Sequence, residues 1–247
     1  MTHPCVDPPA LSIGEIHVWT ARLVDEHHAT ADLVRILSRE ERARAAQFAF
    51  ACDRVRFIRA HGVMRQILSN YCDADAATLT FARNHHGKPH LIPRANGPNL
   101  QFSVSHSGNC CMLAVRLRHS IGIDVEKVRD LPRAMDIVRS YFTPAESKAL
   151  AALRGTAWRD AFFALWTHKE AAVKGLGIGL AAHLGRIEFD LDPARGLRLA
   201  AWDGDQSVAQ NWSVVLLDPQ PGYVAAVAGA HPIRRLTLQN LRHRAAD

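Results

Sequence analysis

The alternation of apolar and polar residues along the chain predicts both strands and helices. GEIHVW at 14–19 alternates as a half-buried strand does, and NLQFSVSHS and CCMLAVRL predict two further strands. Ser38, followed three residues later by Glu41, forms the capping box of a helix that begins with SREERARAAQF. After Asp53 a second helical pattern places four apolar residues on one face: Phe57, Met64, Ile67 and Leu68.

The second half of the chain repeats this order. SIGIDVEKV at 120–128 stands where GEIHVW stood, and Thr143 with Glu146 forms a second capping box. Phe57 lies nineteen positions after Ser38, and Phe162 lies nineteen positions after Thr143. Leu68 and Val173 then each follow eleven positions later. SVVLLDPQPGYVAAVAG then predicts a closing hairpin.

These matched spacings predict an α+β fold with a pseudo-twofold repeat. The expected halves are 14–118 and 119–230, each a small, mostly antiparallel sheet packed with a long helix. Flexible termini are expected at 1–13 and 231–247. A site built from both halves would lie in the cleft between them.

Composition is that of a soluble globular protein. The 247 residues are 48% hydrophobic and 22% charged, and no apolar run approaches the roughly 18 residues of a membrane helix. The N-terminal sequence MTHPCVDPPALS lacks the pattern of a signal peptide, so a cytoplasmic protein is expected. Five cysteines without C-x-x-C spacing predict reduced thiols.

A formal net charge of +6 favours an anionic partner. Nucleic acid, a phosphorylated small molecule and an acidic protein all satisfy that condition. The basic residues are dispersed and aromatic residues make up only 7%, so the interleaved pattern of single-strand binders is missing and no nucleic-acid partner is expected.

The first chemical motif is GIDVE. Side chains alternate along a strand, so Asp124 and Glu126 project to the same side, roughly 6.5 to 7 Å apart. An isolated D-x-E pair is most often a solvated strand face. Alternatively, the two carboxylates hold Mg²⁺, which favours one or two carboxylates together with substrate phosphates.

The second motif is WTHKEAAVKGLGIGL at 166–180. On a helix, Trp166, Glu170 and Lys174 share one stripe, with Lys169 beside it. Taken alone, the motif predicts a surface ion pair, and glycines 175, 177 and 179 would end the helix. A phosphate-binding role is the alternative.

The third motif combines HHGKPHL with FSVSHSG at 102–108. Ser105 and His106 at a strand end, with Lys88 in a nearby turn, carry donors suited to phosphate oxygens. Ser105 and His106 point to opposite faces of the strand, so they do not form a catalytic dyad.

The order of these motifs closely resembles that of the surfactin-synthetase-type 4′-phosphopantetheinyl transferases. GKP, F-S-V-S-H-S, G-I-D-V-E and W-T-x-K-E-A-x-x-K-x-x-G-x-G-L follow one another, and the resemblance spans roughly residues 14 to 230. Ala171 after K-E matches the W-x-x-K-E-A subgroup. The resemblance implies Mg²⁺-dependent transfer of the phosphopantetheine arm of coenzyme A to a serine of an apo acyl or peptidyl carrier protein, with release of adenosine 3′,5′-bisphosphate.

The resemblance also implies roles for individual residues. Asp124, Glu126 and Glu170 would hold Mg²⁺, for which Mn²⁺ could substitute. The implied catalytic residues are Glu170, Lys174 and Asp124, and Glu170 would take the proton of the attacking serine directly or through a metal-bound water. The residues implied to bind coenzyme A are Arg44, Arg56, Lys88, Pro89, Ser105, His106, Lys169 and Lys174.

The family's two-half chains imply a monomer with no membrane or nucleic-acid partner. Two alternatives stay open at this point. A basic nucleic-acid-binding protein would use the arginine-rich segment 39–65, and a Mg²⁺-dependent phosphodiesterase would use the same carboxylates to activate water.

Overall fold

The computed structural model describes residues 9–23, 30–95, 97–179, 184–192 and 196–241, which form a mixed α+β fold. Two sheets pack face to face in the middle of the protein, and a long helix covers the outer face of each sheet. The layers therefore run helix, sheet, sheet, helix, and the expected fold class is confirmed.

The N-terminal half contains most of one sheet. Its elements are β1 (Glu15–Arg22), α1 (Thr30–Ile36), α2 (Arg39–Ala46), α3 (Ala51–Cys72), β2 (Phe81–Arg83), β3 (Pro89–Leu91), β4 (Leu100–Ser107) and β5 (Cys110–Leu117), with a 3-10 turn at Ala76–Thr78. In this sheet β5 pairs antiparallel with β1 on one side and β4 on the other. β2 and β3 form a separate hairpin.

The C-terminal half has the same arrangement. Its elements are β6 (Ile121–Lys127), α4 (Ala134–Tyr141), α5 (Pro144–Ala151), α6 (Gly155–Leu176), β7 (Ile187–Asp192), β8 (Gly196–Trp202), α7 (Gln206–Gln210), β9 (Trp212–Leu217) and β10 (Tyr223–Ala230), with a 3-10 turn at Leu184–Arg186. β10 lies between β6 and β9, as β5 lies between β1 and β4. The long helices α3 and α6 both contain 22 residues. The internal repeat predicted from the spacings is therefore present in the order of elements.

Both predicted capping boxes are formed. Ser38 Oγ accepts from the Glu41 N–H at 3.1 Å, and Glu41 Oε2 accepts from the Ser38 N–H at 2.8 Å. At the start of α5 the corresponding distances between Thr143 and Glu146 are 3.3 and 2.8 Å. Each box satisfies N–H groups that the first turn of a helix leaves without partners.

The alternation of side chains along the strands produces three layers of core. Residues such as Val18, Met112 and Ile123 fill the space between the sheets. On the outer face of the first sheet, Trp19 and its neighbours pack against α3. Ala226 and other residues of the second sheet pack against α6. Because the inner faces are apolar in both sheets, the two halves share a core.

The prediction of a flexible tail at 231–247 is wrong for part of that segment. Arg235–Asn240 forms β11, which pairs in parallel with β1 and completes the first sheet. The buried Arg116 guanidinium donates to the carbonyls of Ala230 and Pro232 at 2.8 and 3.0 Å and so anchors the chain that leads to this strand. Residues 1–8 and 242–247 lie outside the described part of the chain.

Two expectations from composition concern cysteines and membranes. Cys52, Cys72, Cys110 and Cys111 are free thiols, and Cys5 lies outside the described residues. Among the helices that the structure describes, none is both long enough and apolar enough to cross a membrane.

Lys169 lies in the core of the C-terminal half. Its ammonium group donates to both carboxylate oxygens of Glu146, at 2.9 and 2.7 Å, and to the Ile187 carbonyl at 2.6 Å. Neither side chain of this ion pair is exposed. Lys169 therefore does not face the cleft, and the prediction that it binds coenzyme A is wrong. Its role is structural, because it pairs with the buried Glu146.

We expect Lys169→Met to lower the free energy of unfolding by about 3 to 5 kcal/mol, because it leaves the buried Glu146 carboxylate unpaired. The double variant Lys169→Met with Glu146→Gln removes the buried charge but can accept from only one of the two backbone N–H groups, of Thr143 and Phe189, that donate to Glu146, so it should recover part of the loss. Urea denaturation measures both values. A double variant no more stable than Lys169→Met would contradict this account.

Candidate active site

The site depends on a close approach between β6 and α6. A Cβ atom added at Gly122 would lie 2.0 Å from the Ala171 carbonyl oxygen and 2.3 Å from the Gly175 nitrogen. A Cβ atom at Gly175 would lie 2.6 Å from the Trp212 ring. The backbone of the helix therefore lies directly on the strand, which only residues without side chains permit.

This contact corrects part of the interpretation of WTHKEAAVKGLGIGL. Gly175 lies inside α6, where it is needed for packing, so the prediction that it ends the helix is wrong. The helix ends at Leu176, and the next residue, Gly177, adopts the left-handed conformation with φ of 71° and caps α6. Leu180, the last residue of the motif, lies outside the described residues.

A group of carboxylates lies where β6 faces α6. Asp124 is buried, with 2% exposed, and its Oδ1 accepts from Ser105 Oγ at 2.8 Å and from Lys174 Nζ at 2.6 Å. Glu170 Oε2 lies 3.6 Å from the same ammonium group. Glu126 accepts from Ser107 Oγ at 2.8 Å. The structure therefore gathers the three predicted metal ligands around Lys174, with hydroxyl groups from the N-terminal half.

The proximity of these groups changes their pKa values. Burial, and then the negative charge of Asp124, raise the pKa of Glu170 to about 8. The same two causes raise the pKa of Glu126. Burial alone would lower the pKa of Lys174, but attraction to Asp124 and Glu170 outweighs it and raises this pKa. The cluster therefore favours additional positive charge.

The donor set fits a hard divalent cation in its chemistry. Asp124 Oδ2 is buried and accepts no hydrogen bond, and carboxylate oxygens are the ligands that Mg²⁺ prefers. Across the part of the chain that the structure describes, no three His, Cys, Asp or Glu side chains are already arranged as a metal cluster. The ammonium group of Lys174 lies against the other oxygen, Asp124 Oδ1.

Two pockets adjoin Lys174. One, of about 260 Å³, lies between α3 and β4, and its lining includes His61, Ser105, His106 and Lys174. The other, of about 220 Å³, is lined by Lys88, Pro89 and Lys174 among others. Both Ser105 and His106 line the first pocket, and the Ser105 hydroxyl also contacts the carboxylate cluster. In the sheet Ser105 is opposite Met112, which packs between the sheets, whereas His106 is opposite Cys111, which packs with Ala60 of α3, as expected for neighbours on a strand.

Lys88 also joins the strand to the helix. Its Nζ donates to the carbonyls of Ile121 and Gly175, at 2.9 and 3.2 Å, on either side of the glycine contact. Burial lowers the pKa of Lys88 to about 8. Lys88 thus has a structural role as well as a position in the second pocket.

The two predicted arginines have partners other than the carboxylate cluster. Arg44 lines a separate pocket of about 580 Å³ beside α2, and Arg56 forms an ion pair with Asp53 at 3.1 Å. His61 lines both this pocket and the one beside Lys174, so it connects them.

Sequence reasoning missed His61. Its Nδ1 lies 3.0 Å from Glu41 Oε1, and its ring stacks on Phe57 at a centroid distance of 4.0 Å. The available signal was the four-residue spacing between Phe57 and His61, which places them on one helix face. That spacing alone does not distinguish a pocket residue from a surface residue.

Comparison with known proteins gives consistent similarities. Residues 120–228 match the family model described as the 4′-phosphopantetheinyl transferase superfamily, and residues 24–118 match the one described as 4′-phosphopantetheinyl transferase, N-terminal. The chain is 35% identical over 225 residues to the 4′-phosphopantetheinyl transferase HetI of Nostoc sp., covering 90% of this chain and 92% of HetI. It is 29% identical over 200 residues to the 4′-phosphopantetheinyl transferase of Bacillus subtilis, covering 81% of this chain and 85% of that one.

Among solved structures, a holo-(acyl-carrier-protein) synthase from Bacillus anthracis aligns with 45% of this chain and 94% of its own length. The sequence identity is 19% and the TM-score is 0.35. The family assignment rests on the sequence matches alone.

The raised pKa of Glu170 predicts how stability depends on pH. The folded-state pKa of about 8 exceeds the ordinary value of 4.5, so the folded state binds this proton more tightly and stability falls as the pH rises from about 4.5 to about 8. Glu170→Gln removes the titrating group. We expect its free energy of unfolding to exceed that of the wild type progressively across this range, by up to a few kcal/mol. Urea denaturation at stepped pH in the presence of EDTA measures the difference, and a difference that stays constant would argue against the raised pKa.

The glycine contact predicts a packing effect. Gly122→Ala should lower the free energy of unfolding by about 1 to 3 kcal/mol, because α6 must move away from β6. Gly185→Ala is the matched control, since among the described residues its Cβ would have one neighbour within 4 Å, the Tyr141 carbonyl oxygen at 3.9 Å. Thermal and urea denaturation measure both variants. Equal stability of the two would show that the close approach is not required.

Proposed function

This chain belongs to the 4′-phosphopantetheinyl transferase superfamily, and we propose that it transfers the phosphopantetheine arm of coenzyme A to a serine of an apo carrier protein. The observation that carries this proposal is the carboxylate cluster around Lys174, which lies between two pockets where the halves meet. Similarity to HetI over 92% of its length supports the same activity for the whole chain.

The reaction requires a base close to the carrier serine. The serine oxygen attacks the phosphorus that carries the pantetheine arm, and the bond from this phosphorus to the bridging oxygen of the nucleotide breaks. The products are the phosphopantetheinyl serine and adenosine 3′,5′-bisphosphate. Glu170, directly or through a water, accepts the serine proton, a role that depends on proximity to the serine more than on a strongly shifted pKa.

The basic residues of the cleft stabilise the phosphate charges. Lys174 adjoins both pockets, so its ammonium group can contact the pyrophosphate and the charge that builds on the departing nucleotide. Lys88 and His106 lie in the same two pockets and would bind other phosphate oxygens, and Pro89 lines the pocket beside Lys88. Arg44 lines the pocket beside α2, and Arg56 lies on α3. Both would bind the nucleotide side of coenzyme A.

Asp124, Glu126 and Glu170 would hold Mg²⁺, or Mn²⁺ in its place. When bound, the cation would neutralise the pyrophosphate and orient it. The buried Asp124 Oδ2, which accepts no hydrogen bond, supports this assignment, as do the raised pKa values of the two glutamates.

The acceptors we propose are acyl or peptidyl carrier proteins, as in the surfactin-synthetase-type enzymes with W-x-x-K-E-A. The net charge of +6 is complementary to an acidic carrier surface and would raise the association rate. Because one chain supplies both halves of the cleft, we propose that the enzyme acts as a monomer, in the cytoplasm.

Intact-mass spectrometry of an apo carrier protein, incubated with this enzyme, coenzyme A and Mg²⁺, tests the reaction. We expect a mass increase of one phosphopantetheine group. Asp124→Asn and Glu170→Gln should each lower the rate by at least about 100-fold, because each removes charge or a base from the reacting centre. Asp160 lies on the exposed side of α6, the helix that carries Glu170, so Asp160→Asn should retain the wild-type rate.

Two outcomes would contradict this assignment. No mass shift with a panel of fatty-acid, polyketide and peptide-synthetase carriers would contradict the transferase. Hydrolysis of coenzyme A without any carrier would instead favour a phosphodiesterase that uses the same carboxylates.

A further inference from the structure

Three serines alternate along β4 and face β6. Ser103, Ser105 and Ser107 are opposite Ala114, Met112 and Cys110 of β5 in the sheet, so all three side chains lie on the face that meets the second sheet. β4 and β6 belong to different sheets. Side-chain hydroxyl groups therefore provide hydrogen bonds across this junction between the halves.

The three hydroxyl groups have different partners on β6. Ser103 Oγ accepts from the Ile123 N–H at 3.1 Å. Ser107 Oγ accepts from the Lys127 N–H, also at 3.1 Å, and donates to Glu126 Oε2 at 2.8 Å. Ser103 and Ser107 thus each accept from a backbone N–H of β6. Of these two serines, Ser107 also donates to a carboxylate.

The backbone partner fixes the direction of the Ser107 hydroxyl. A backbone N–H can only donate, so the Ser107 oxygen must accept from Lys127 and its proton remains for Glu126. Ser105 follows the same rule, because the ammonium group of Lys174 donates to its oxygen at 3.1 Å while its proton binds Asp124 Oδ1. Ser105 and Ser107 thus each donate a hydrogen bond to one oxygen of a carboxylate. At Asp124 the other oxygen, Oδ2, accepts no hydrogen bond.

We infer that Ser107 is a positioning residue that orients Glu126 for the divalent cation. This inference rests on the proposed function. The N-terminal half would then contribute to the cation site without binding the cation, because it fixes the rotamer of a ligand that the C-terminal half carries. Hydrogen-bond partners of metal ligands typically change metal affinity by about 10- to 100-fold when they are removed.

Mn²⁺ binding to the full-length protein, followed by electron paramagnetic resonance, tests this role independently of activity. We expect Ser107→Ala to raise the dissociation constant for Mn²⁺ by about tenfold or more. Ser107→Thr keeps the hydroxyl group and should retain affinity close to that of the wild type. Ser103→Ala is the matched control: it also removes an acceptor from a β6 backbone N–H, and at a more buried contact, so it should lower the melting temperature at least as much as Ser107→Ala but leave Mn²⁺ affinity unchanged.

The inference is overturned if Ser107→Ala binds Mn²⁺ as tightly as the wild type, or if Ser103→Ala weakens binding equally. It is also overturned if the wild type binds no Mn²⁺. The mass-shift assay on the wild type separates these outcomes from failure of the proposed function. Transfer by the wild type with unchanged Mn²⁺ affinity in Ser107→Ala would remove only the role of Ser107, whereas an absence of transfer would remove the enzyme assignment itself.

Discussion

The contact between Gly122 of β6 and Gly175 of α6 sets the geometry on which the rest of the site depends. Without side chains at these positions, the helix backbone lies directly on the strand, and Lys88 bonds to carbonyls on both sides of the contact. Glu170 and Lys174 are thereby brought to the face of β6 that carries Asp124. A larger residue at either glycine would separate the groups that the proposed reaction needs together.

Gathering three carboxylates has an electrostatic cost, which the positive charge of Lys174 offsets in part. The internal repeat shows where the halves diverge: an offset of 105 residues relates Ser38 to Thr143, and the same offset relates Trp19 to Asp124. Trp19 packs in the core against α3, whereas Asp124 lies in a charged cleft against α6. The first half thus has an apolar core at this position, and the second half has a carboxylate site whose repulsion Lys174 relieves only in part.

Local sequence patterns predicted many of the helices and strands correctly, because capping boxes and strand alternation depend on residues that are close together in the sequence. The capping boxes at Ser38 and Thr143 and the strand around Asp124 were correct, and the resemblance brought Asp124, Glu126 and Glu170 together. The short helices α1 and α4 were missed, since seven and eight residues cover only about two turns and show little periodicity. The structural role of Lys169, the interior position of Gly175 and the pairing of β11 were also missed, because each depends on partners far along the chain.

The proposed reaction depends on Glu170 being part of a buried carboxylate cluster that binds a divalent cation. The most direct test is the titration of the Glu170 side chain by carbon-13 NMR, with Glu170→Gln to assign the signal. Without a divalent cation the pKa should be about 8. Saturation with Mg²⁺ and adenosine 3′,5′-bisphosphate should lower it by several pH units, because a bound cation favours the ionised carboxylate. A pKa that is unchanged by Mg²⁺, or one near 4.5 from the start, would contradict this account.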